Sequence, residues 1–67
     1  MCLSIVHDQD KNTLCENVMM MKKQEDGRLD FYNILGVRSS FYGRVENINL
    51  MDNTISIWQD RSRPVTE

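Results

Sequence analysis

The sequence predicts an all-β fold, a small barrel of about five short antiparallel strands. Five short segments carry alternating apolar residues or runs of aromatic and β-branched residues, which suit a pleated surface. Clusters rich in Asp, Asn and Gly separate most of these segments, and such clusters form tight turns. Closing the sheet into a barrel protects its edges. We therefore expect one domain over residues 1–60 and a polar C-terminal tail over residues 61–67.

The first strand is predicted over residues 2–7, with the sequence CLSIVH. Because successive side chains of a strand alternate in direction, we expect the more apolar side, with Leu3 and Ile5, to face the core. The polar run HDQDKNT begins at the end of this segment. It has turn residues and no apolar face, so it ends the strand.

The second segment, residues 14–23, is compatible with two structures. Leu14, Val18 and Met21 recur at helical spacing, and Met, Glu and Lys are good helix formers. However, Asp-Gly lies at the centre of EDGR, residues 25–28, and this dipeptide is the strongest short-range signal of a hairpin. Because a hairpin needs extended chain on both sides of its turn, we favour a strand.

The third and fourth strands follow from similar patterns. Residues 29–35, LDFYNIL, place Leu29 and Phe31 on one face of a strand. The glycines that bound residues 36–43 predict a loop there, which leads into a fourth strand over residues 44–50, RVENINL.

A bulge is expected inside the fourth strand. Val45 is out of phase with the later apolar residues of this strand, which places the bulge near Glu46. A turn at residues 51–53 then leads to the fifth strand, TISIW, over residues 54–58, where apolar and polar residues alternate cleanly.

Length and charge limit the possible functions. A chain of 67 residues buries only about 60% of the surface of its unfolded form, so we expect a metal, a disulfide or a second subunit to add stability. The formal net charge is −2, and Lys and Arg are scattered among carboxylates, so no basic surface for nucleic acid is expected.

The chain shows neither a secretion signal nor a run of about 20 apolar residues, so we expect a cytoplasmic protein that does not enter a membrane. The two cysteines, Cys2 and Cys15, can form at most one disulfide. In the cytoplasm such a pair is more often free thiol or metal ligand than disulfide.

The sequence lacks the patterns of a catalytic site, so we do not expect an enzyme. It has one His, no phosphate-binding glycine loop and no CxxC pair. Asp8, Asp10 and Asn12 resemble the start of a calcium-binding loop, but the required glycine and later glutamate are missing, which favours a solvated turn. A lone histidine at a strand end, such as His7, is more typical of an ordinary surface or core residue than of a ligand.

The methionines at positions 19–21 and Cys15 are assigned to packing. Adjacent side chains on a strand point in opposite directions, so three consecutive methionines cannot converge on one soft metal ion. Met instead fills irregular gaps in a core. Cys15 lies inside the second strand and is expected to be a small buried hydrophobe.

Cys2 has two interpretations. It can be the first buried residue of a strand, as cysteines often are. Alternatively, the amine of Met1, the deprotonated amide nitrogen of Cys2 and the Cys2 thiolate can close two fused five-membered chelate rings around one metal ion. This planar arrangement of two nitrogens and one sulfur suits Ni(II) or Cu(II) better than tetrahedral Zn(II). A fourth donor has to come from elsewhere.

Four features occur together in this chain: the Met1-Cys2 start, a length near seventy, an Asp-Gly hairpin in the middle, and the run GRVENINLMDNTISI near the end. In this combination, over roughly residues 2–58, the chain resembles the CooT-like family of small nickel-binding proteins. Members of that family have also been catalogued as predicted RNA-binding proteins.

The resemblance implies a small SH3-like β-barrel that forms homodimers and binds Ni(II) through the cysteine after the initiator methionine. Only Cys2 matches that ligand position, with the amine of Met1 beside it. Two subunits would each bring one Cys2, which supplies the missing donor of a four-coordinate site. The resemblance also implies a role in supplying nickel to an enzyme such as carbon monoxide dehydrogenase. His7 and Cys15 are not part of the motif.

A non-enzymatic RNA- or protein-binding module is the alternative function. Phe31, Tyr32, Phe41 and Tyr42 would offer surface for base stacking or protein contact. However, aromatic residues on strands are more often core residues, and the acidic balance weakens the attraction to phosphates. We therefore do not expect a nucleic-acid partner.

Overall fold

A computed structural model describes residues 2–65 of the chain and contains five strands and no helix in that range. The strands are β1 (Ser4–His7), β2 (Thr13–Lys23), β3 (Arg28–Asn33), β4 (Arg38–Asn49) and β5 (Thr54–Gln59). They close into a barrel in the order β1-β2-β3-β4-β5. The predicted all-β fold is confirmed, and the segment with a competing helical pattern forms β2.

Four of the five strand pairings are antiparallel, as predicted, but β1 and β5 pair in parallel. This pairing corrects the expectation of a purely antiparallel barrel. It has a simple topological cause: when an odd number of strands runs alternately up and down, the first and last strands point the same way.

β2 and β4 are longer than the short strands expected, with 11 and 12 residues. Each of them pairs with two neighbours in succession. In β2 the change from β1 to β3 coincides with register shifts on both sides of Val18. Such bulges bend a strand, which lets one strand serve two sides of a small barrel.

The first half of β4 was predicted as a loop, and that prediction is wrong. This half pairs with β3, with Leu29 opposite Phe41. Gly43, which marked the end of the predicted loop, instead permits close contact between two strands: a Cβ atom there would lie 2.0 Å from the carbonyl oxygen of Trp58 in β5. The predicted bulge near Glu46 is confirmed by a register shift in the pairing of β4 with β5.

β1 begins at Ser4, so that Cys2 and Leu3 precede the strand and are not part of it. The side of β1 that was expected to face the core also proves wrong. Val6 is fully buried, whereas Ile5 is 38% exposed. Val6 lies opposite the buried Ile55 of β5, so the pairing with β5 fixes which side faces inward.

The core is small, and it lies inside the barrel. Its six buried hydrophobic residues come from four strands: Val6, Val18, Leu29, Phe31, Ile55 and Ile57. The predicted placement of Leu29 and Phe31 on one inward face is confirmed. Cys15 is half-buried and packs against this cluster, as expected of a small hydrophobe.

Candidate metal centre at the amino terminus

Cys2 carries a free, exposed thiol two residues ahead of β1. The structure therefore does not place it as a buried residue of the first strand. Met1, the other predicted contributor to a metal site, lies outside the described residues. An accessible thiol is free to bind a ligand or to meet a second molecule, which a core cysteine cannot do.

The segment that carries Cys2 is held at one end of the barrel by its neighbours on both sides. Ser4 pairs with Val18 in the middle of β2. On the other side, the backbone N–H of Ile5 donates to the carbonyl of Asn53, 3.0 Å away, in the turn between β4 and β5. Cys2 lies only two residues before β1, so the fixed position of this strand limits where Cys2 can lie.

His7 lies at the other end of β1. Three strand residues at about 3.3 Å each put its Cα roughly 10 Å beyond that of Ser4. Its Nδ1 atom is buried and has no hydrogen-bond partner among the residues that the structure describes. The fold therefore does not bring His7 to Cys2 within one chain.

Cys15 is also separate from the amino terminus. It lies in β2 opposite Val6, against the core. Burial raises the pKa of the Cys15 thiol to about 11, so the thiol is protonated at neutral pH. Because the thiolate is the form that binds metals, Cys15 is a poor ligand in this environment.

The three consecutive methionines diverge, as predicted. Met20 pairs with Tyr32 and Met21 with Phe31, on opposite faces of β2. Met21 packs against the core, whereas Met19 and Met20 are 49% and 42% exposed. Their sulfur atoms therefore do not form one soft-metal site.

The turn that resembled a calcium loop is built around the buried carboxylate of Asp8. This carboxylate accepts hydrogen bonds from the backbone N–H groups of Asp10 and Asn12, each at 2.9 Å, and from Arg61 at 2.8 Å. Burial raises the pKa of Asp8, but these hydrogen bonds outweigh that effect and hold it below the usual value. The oxygens that a cation would need are thus bound to the protein's own N–H groups.

Across residues 2–65 as a whole, no group of three or more His, Cys, Asp or Glu side chains is arranged to hold a metal ion. A centre built on Cys2 therefore differs in kind from a pocket of converging side chains. Its donors would be main-chain nitrogens and the thiol, with a further donor from another molecule.

The aromatic residues of the alternative function are used within the chain. Phe31 is buried and packs on Phe41 with ring centroids 6.2 Å apart. The guanidinium of Arg63 lies 4.0 Å from the ring centroid of Tyr42, and Lys22 lies over Tyr32. Each of these four rings thus already makes a contact within the chain.

A cavity of about 170 Å³ lies between β4 and the C-terminal segment, and Tyr42, Arg63 and Pro64 are among its lining residues. It is smaller than the roughly 300–1,000 Å³ typical of small-molecule sites. The cavity is at the end of the barrel opposite Cys2, where β5 ends. It therefore contributes nothing to a centre at the amino terminus.

Sequence reasoning missed a group of apolar residues in the turns near Cys2. Leu35 and Val37 lie in the β3–β4 turn and Leu50 and Met51 in the β4–β5 turn, and they are 57% to 93% exposed. Turns are normally polar, so large apolar residues beside Gly36 and Asp52 were the available signal. Leu35 and Leu50 were instead assigned to strand ends and Val37 to a loop, and only Met51 was assigned to a turn.

A protein-family model described as CO dehydrogenase accessory protein CooT matches residues 1–58. This match confirms the resemblance found in the sequence, over a similar part of the chain. No curated protein matches the chain. Among residues 2–65 there is no helix of the length and apolar character needed to cross a membrane.

Proposed function

Because the chain belongs to the CooT family of CO dehydrogenase accessory proteins, we propose that it is a nickel-binding homodimer that carries Ni(II) for the maturation of a nickel enzyme such as carbon monoxide dehydrogenase. An accessory role of this kind requires binding and release, with no catalytic step. The proposed carrier acts in the cytoplasm. The observation that carries the proposal is the free, exposed thiol of Cys2, immediately ahead of an anchored strand.

The chemistry of the donors favours nickel. The amine of Met1, the amide nitrogen of Cys2 and the Cys2 thiolate form two fused five-membered rings with one ion, in a plane that suits Ni(II). Binding releases the thiol and amide protons, so affinity should increase with pH. The ion is cargo, which agrees with a site at the surface instead of one enclosed by the core.

One chain supplies three of these donors, and a square-planar ion needs four. A second subunit that brings its own Cys2 to the same place completes the set. We therefore assign the functional unit to a homodimer with one shared Ni(II). We also assign the barrel to the SH3-like class, on the basis of its five strands and of long, bent strands that each pair with two neighbours.

Titration of Ni(II) into the metal-free protein tests the proposal. Thiolate-to-nickel charge-transfer absorption should appear and saturate at one ion for two chains. Cys2→Ser should abolish this binding while leaving the fold intact, because Cys2 is exposed and a serine hydroxyl there remains in contact with water.

Cys15→Ser is the matched control. Nickel stoichiometry should persist, while the half-buried hydroxyl lowers the free energy of unfolding by about 1 kcal/mol. The proposal is wrong if Cys2→Ser binds nickel as the parent does. If only Cys15→Ser loses the metal, the ligand has been assigned to the wrong thiol.

A further inference from the structure

One edge of β4 is covered by a neighbouring strand along only part of its length. β4 pairs with β3 through residues 38–42 and with β5 through residues 43–49, and these two strands lie on opposite edges of it. On the β5 side, residues 39–42 therefore have no strand partner within residues 2–65. Such an edge presents main-chain N–H and C=O groups to which another strand can add.

The segment after β5 turns across this open edge, and we call residues 60–65 the C-terminal strap. The N–H of Asp60 donates to the carbonyl of Tyr42 at 2.8 Å, so the strap begins where the pairing of β5 with β4 ends. A cavity of about 170 Å³ lies between the strap and the edge, and Ser40, Tyr42 and Pro64 are among its lining residues. The strap thus faces the open edge without being a strand itself.

Two arginine side chains attach the strap to the barrel. Arg61 bridges Asp8 and Asp10 of the β1–β2 turn, with 2.8 Å to each carboxylate. The guanidinium of Arg63 lies 4.0 Å from the ring centroid of Tyr42 in β4. The strap is therefore held at two places, one on each side of the cavity.

The strap also has a local structure of its own, a turn built on Asp60. The Asp60 carboxylate accepts hydrogen bonds from the Ser62 hydroxyl at 2.6 Å and from the Ser62 N–H at 3.1 Å. The N–H of Arg63 donates to the Asp60 carbonyl at 3.3 Å. Because these bonds lie within the strap, they persist when its contacts with the barrel are broken.

The contacts of the strap are separate from the core of the barrel. The six buried hydrophobic residues of the core lie between Val6 and Ile57, so none of them belongs to the strap. The side chain of Arg61 is 50% exposed, and exposed ion pairs contribute little to stability. A segment with few buried apolar contacts opens locally while the rest of the protein stays folded.

We propose that the C-terminal strap guards the open edge of β4, and that opening it allows the same edge of a second copy of this chain to pair there. Proteins often protect an unpaired edge by covering it with a loop. The role is distinct from nickel binding, because the strap lies at the end of the barrel away from Cys2 and outside residues 1–58, which match the family model.

The sequence of the edge explains why it needs protection from other copies. Residues 39–42, SSFY, carry no charge, so two copies of this edge do not repel each other. Aromatic residues favour strands, and short uncharged segments of this kind are prone to strand addition. Two identical edges can pair in antiparallel orientation around a two-fold axis, which makes a second copy a suitable partner.

The first measurement asks whether the strap opens by itself. In the full chain, Arg61→Gln with Arg63→Gln removes both attachments and keeps side chains that can bind water. Exchange of the Asp60 amide hydrogen, followed by NMR, should become at least about tenfold faster in this double variant. Exchange of the Phe41 amide should not change, because Phe41 pairs with Leu29 inside the barrel.

The second measurement asks whether the opened edge associates. Sedimentation of the metal-free double variant should show a concentration-dependent species of about twice the mass of the parent's own species. The two substitutions change the formal net charge from −2 to −4, which by itself opposes association. Lys23→Gln with Arg44→Gln is the matched control, since it makes the same charge change at exposed positions outside the strap and should sediment as the parent does.

The results separate the guard from its alternatives. If the Asp60 amide exchanges as slowly as in the parent, or if the Phe41 amide accelerates with it, the strap is not a detachable element and the proposal is wrong. If the strap opens but the double variant sediments as the parent does, the edge needs no guard. Association of the control variant as well would assign the effect to net charge. Faster Asp60 exchange together with association of the strap variant alone supports the guard, whether or not Cys2 binds nickel.

Discussion

Cys2 and Cys15 show how environment separates two identical side chains. Cys2 is exposed ahead of β1, while Cys15 packs against the core with its pKa raised to about 11 by burial. The sequence already assigned Cys15 to packing, but for Cys2 it left open a core residue or a metal ligand. In the folded chain, contact with water separates the two thiols: that of Cys2 is exposed, and that of Cys15 is held against the core.

Asp30 is the most buried charged residue described, at 1% exposure, and its carboxylate is well satisfied. It accepts a hydrogen bond from the hydroxyl of Ser40 at 2.6 Å and another from the amide of Gln24 at 3.0 Å, and it forms an ion pair with Arg28 at 3.0 Å. Burial alone raises the pKa of Asp30. The hydrogen bonds and the charge of Arg28 outweigh it and hold the pKa below its ordinary value of 3.8.

Acid should therefore destabilise the protein through Asp30. A carboxyl group with a lowered pKa in the folded state contributes its full stability above pH 3.8 and loses it as the pH falls through the folded-state value. Urea unfolding at a series of pH values measures this dependence. Asp30→Asn should flatten the curve without removing it, because the pKa values of Asp8 and Asp60 are lowered too. Stability that increases on acidification below pH 3.8 would contradict the prediction.

At the scale of elements, β4 depends on one glycine. Gly43 lies where β4 leaves β3 and begins to pair with β5, and a side chain there would collide with the backbone of Trp58. Gly36, in the β3–β4 turn, differs from it: no atom lies within 4 Å of its missing Cβ, but its φ is +80°. Glycine is needed at position 43 because a side chain has no space there, and at position 36 because the backbone is in a left-handed conformation.

Alanine substitutions should distinguish these two requirements. Gly43→Ala should lower the free energy of unfolding by at least about 3 kcal/mol, because the backbone of two strands has to move. Gly36→Ala should cost only about 1–2 kcal/mol, the penalty of a left-handed conformation. Chemical denaturation of both variants measures the difference. Equal losses would show that the close approach of β4 to β5 is not a constraint.

The strands differed in how well the sequence predicted them. Alternating residues were sufficient for β3 and β5 and for the bulge at Glu46, because local pattern and burial agree there. The first half of β4 was missed because a glycine needed for close strand contact looks the same in sequence as one in a loop. The exposed apolar residues of the β3–β4 and β4–β5 turns were missed because segments distant in the chain become neighbours only when the barrel closes.

The candidate metal centre was predicted from the covalent chemistry of two residues and not from a strand pattern. The chelating arrangement of Met1 and Cys2 follows from covalent chemistry, but the residues alone did not decide between ligand and core cysteine. The resemblance to the CooT-like family favoured the ligand, and the structure adds that the Cys2 thiol is exposed. The proposed fourth donor, the Cys2 of a second subunit, came from the resemblance and not from the residues of one chain.

For the molecule as a whole, the two ends of the barrel have opposite character. The end that carries Cys2 has exposed apolar residues in its turns, while at the other end several basic side chains contact acidic or aromatic groups within the chain. Arg63 stacks on Tyr42, and Arg44, in the second half of β4, lies 4.6 Å from the ring centroid of Trp58. These basic groups are thus dispersed and partly neutralised, so they do not form a continuous basic stripe.

Binding to RNA should therefore be weak. With a net charge of −2 and only scattered cations, few phosphate contacts are available, and we expect a dissociation constant above about 10 micromolar at physiological salt. A fluorescence titration with single-stranded and hairpin RNA measures this dissociation constant. A second titration at higher salt gives the number of phosphate contacts from the slope of affinity against salt concentration.

Arg44→Ser serves as a control, because it removes an exposed cation at a cation–π contact without touching the core. Tight, sequence-dependent binding that this substitution weakens would favour the RNA-binding module over the nickel carrier.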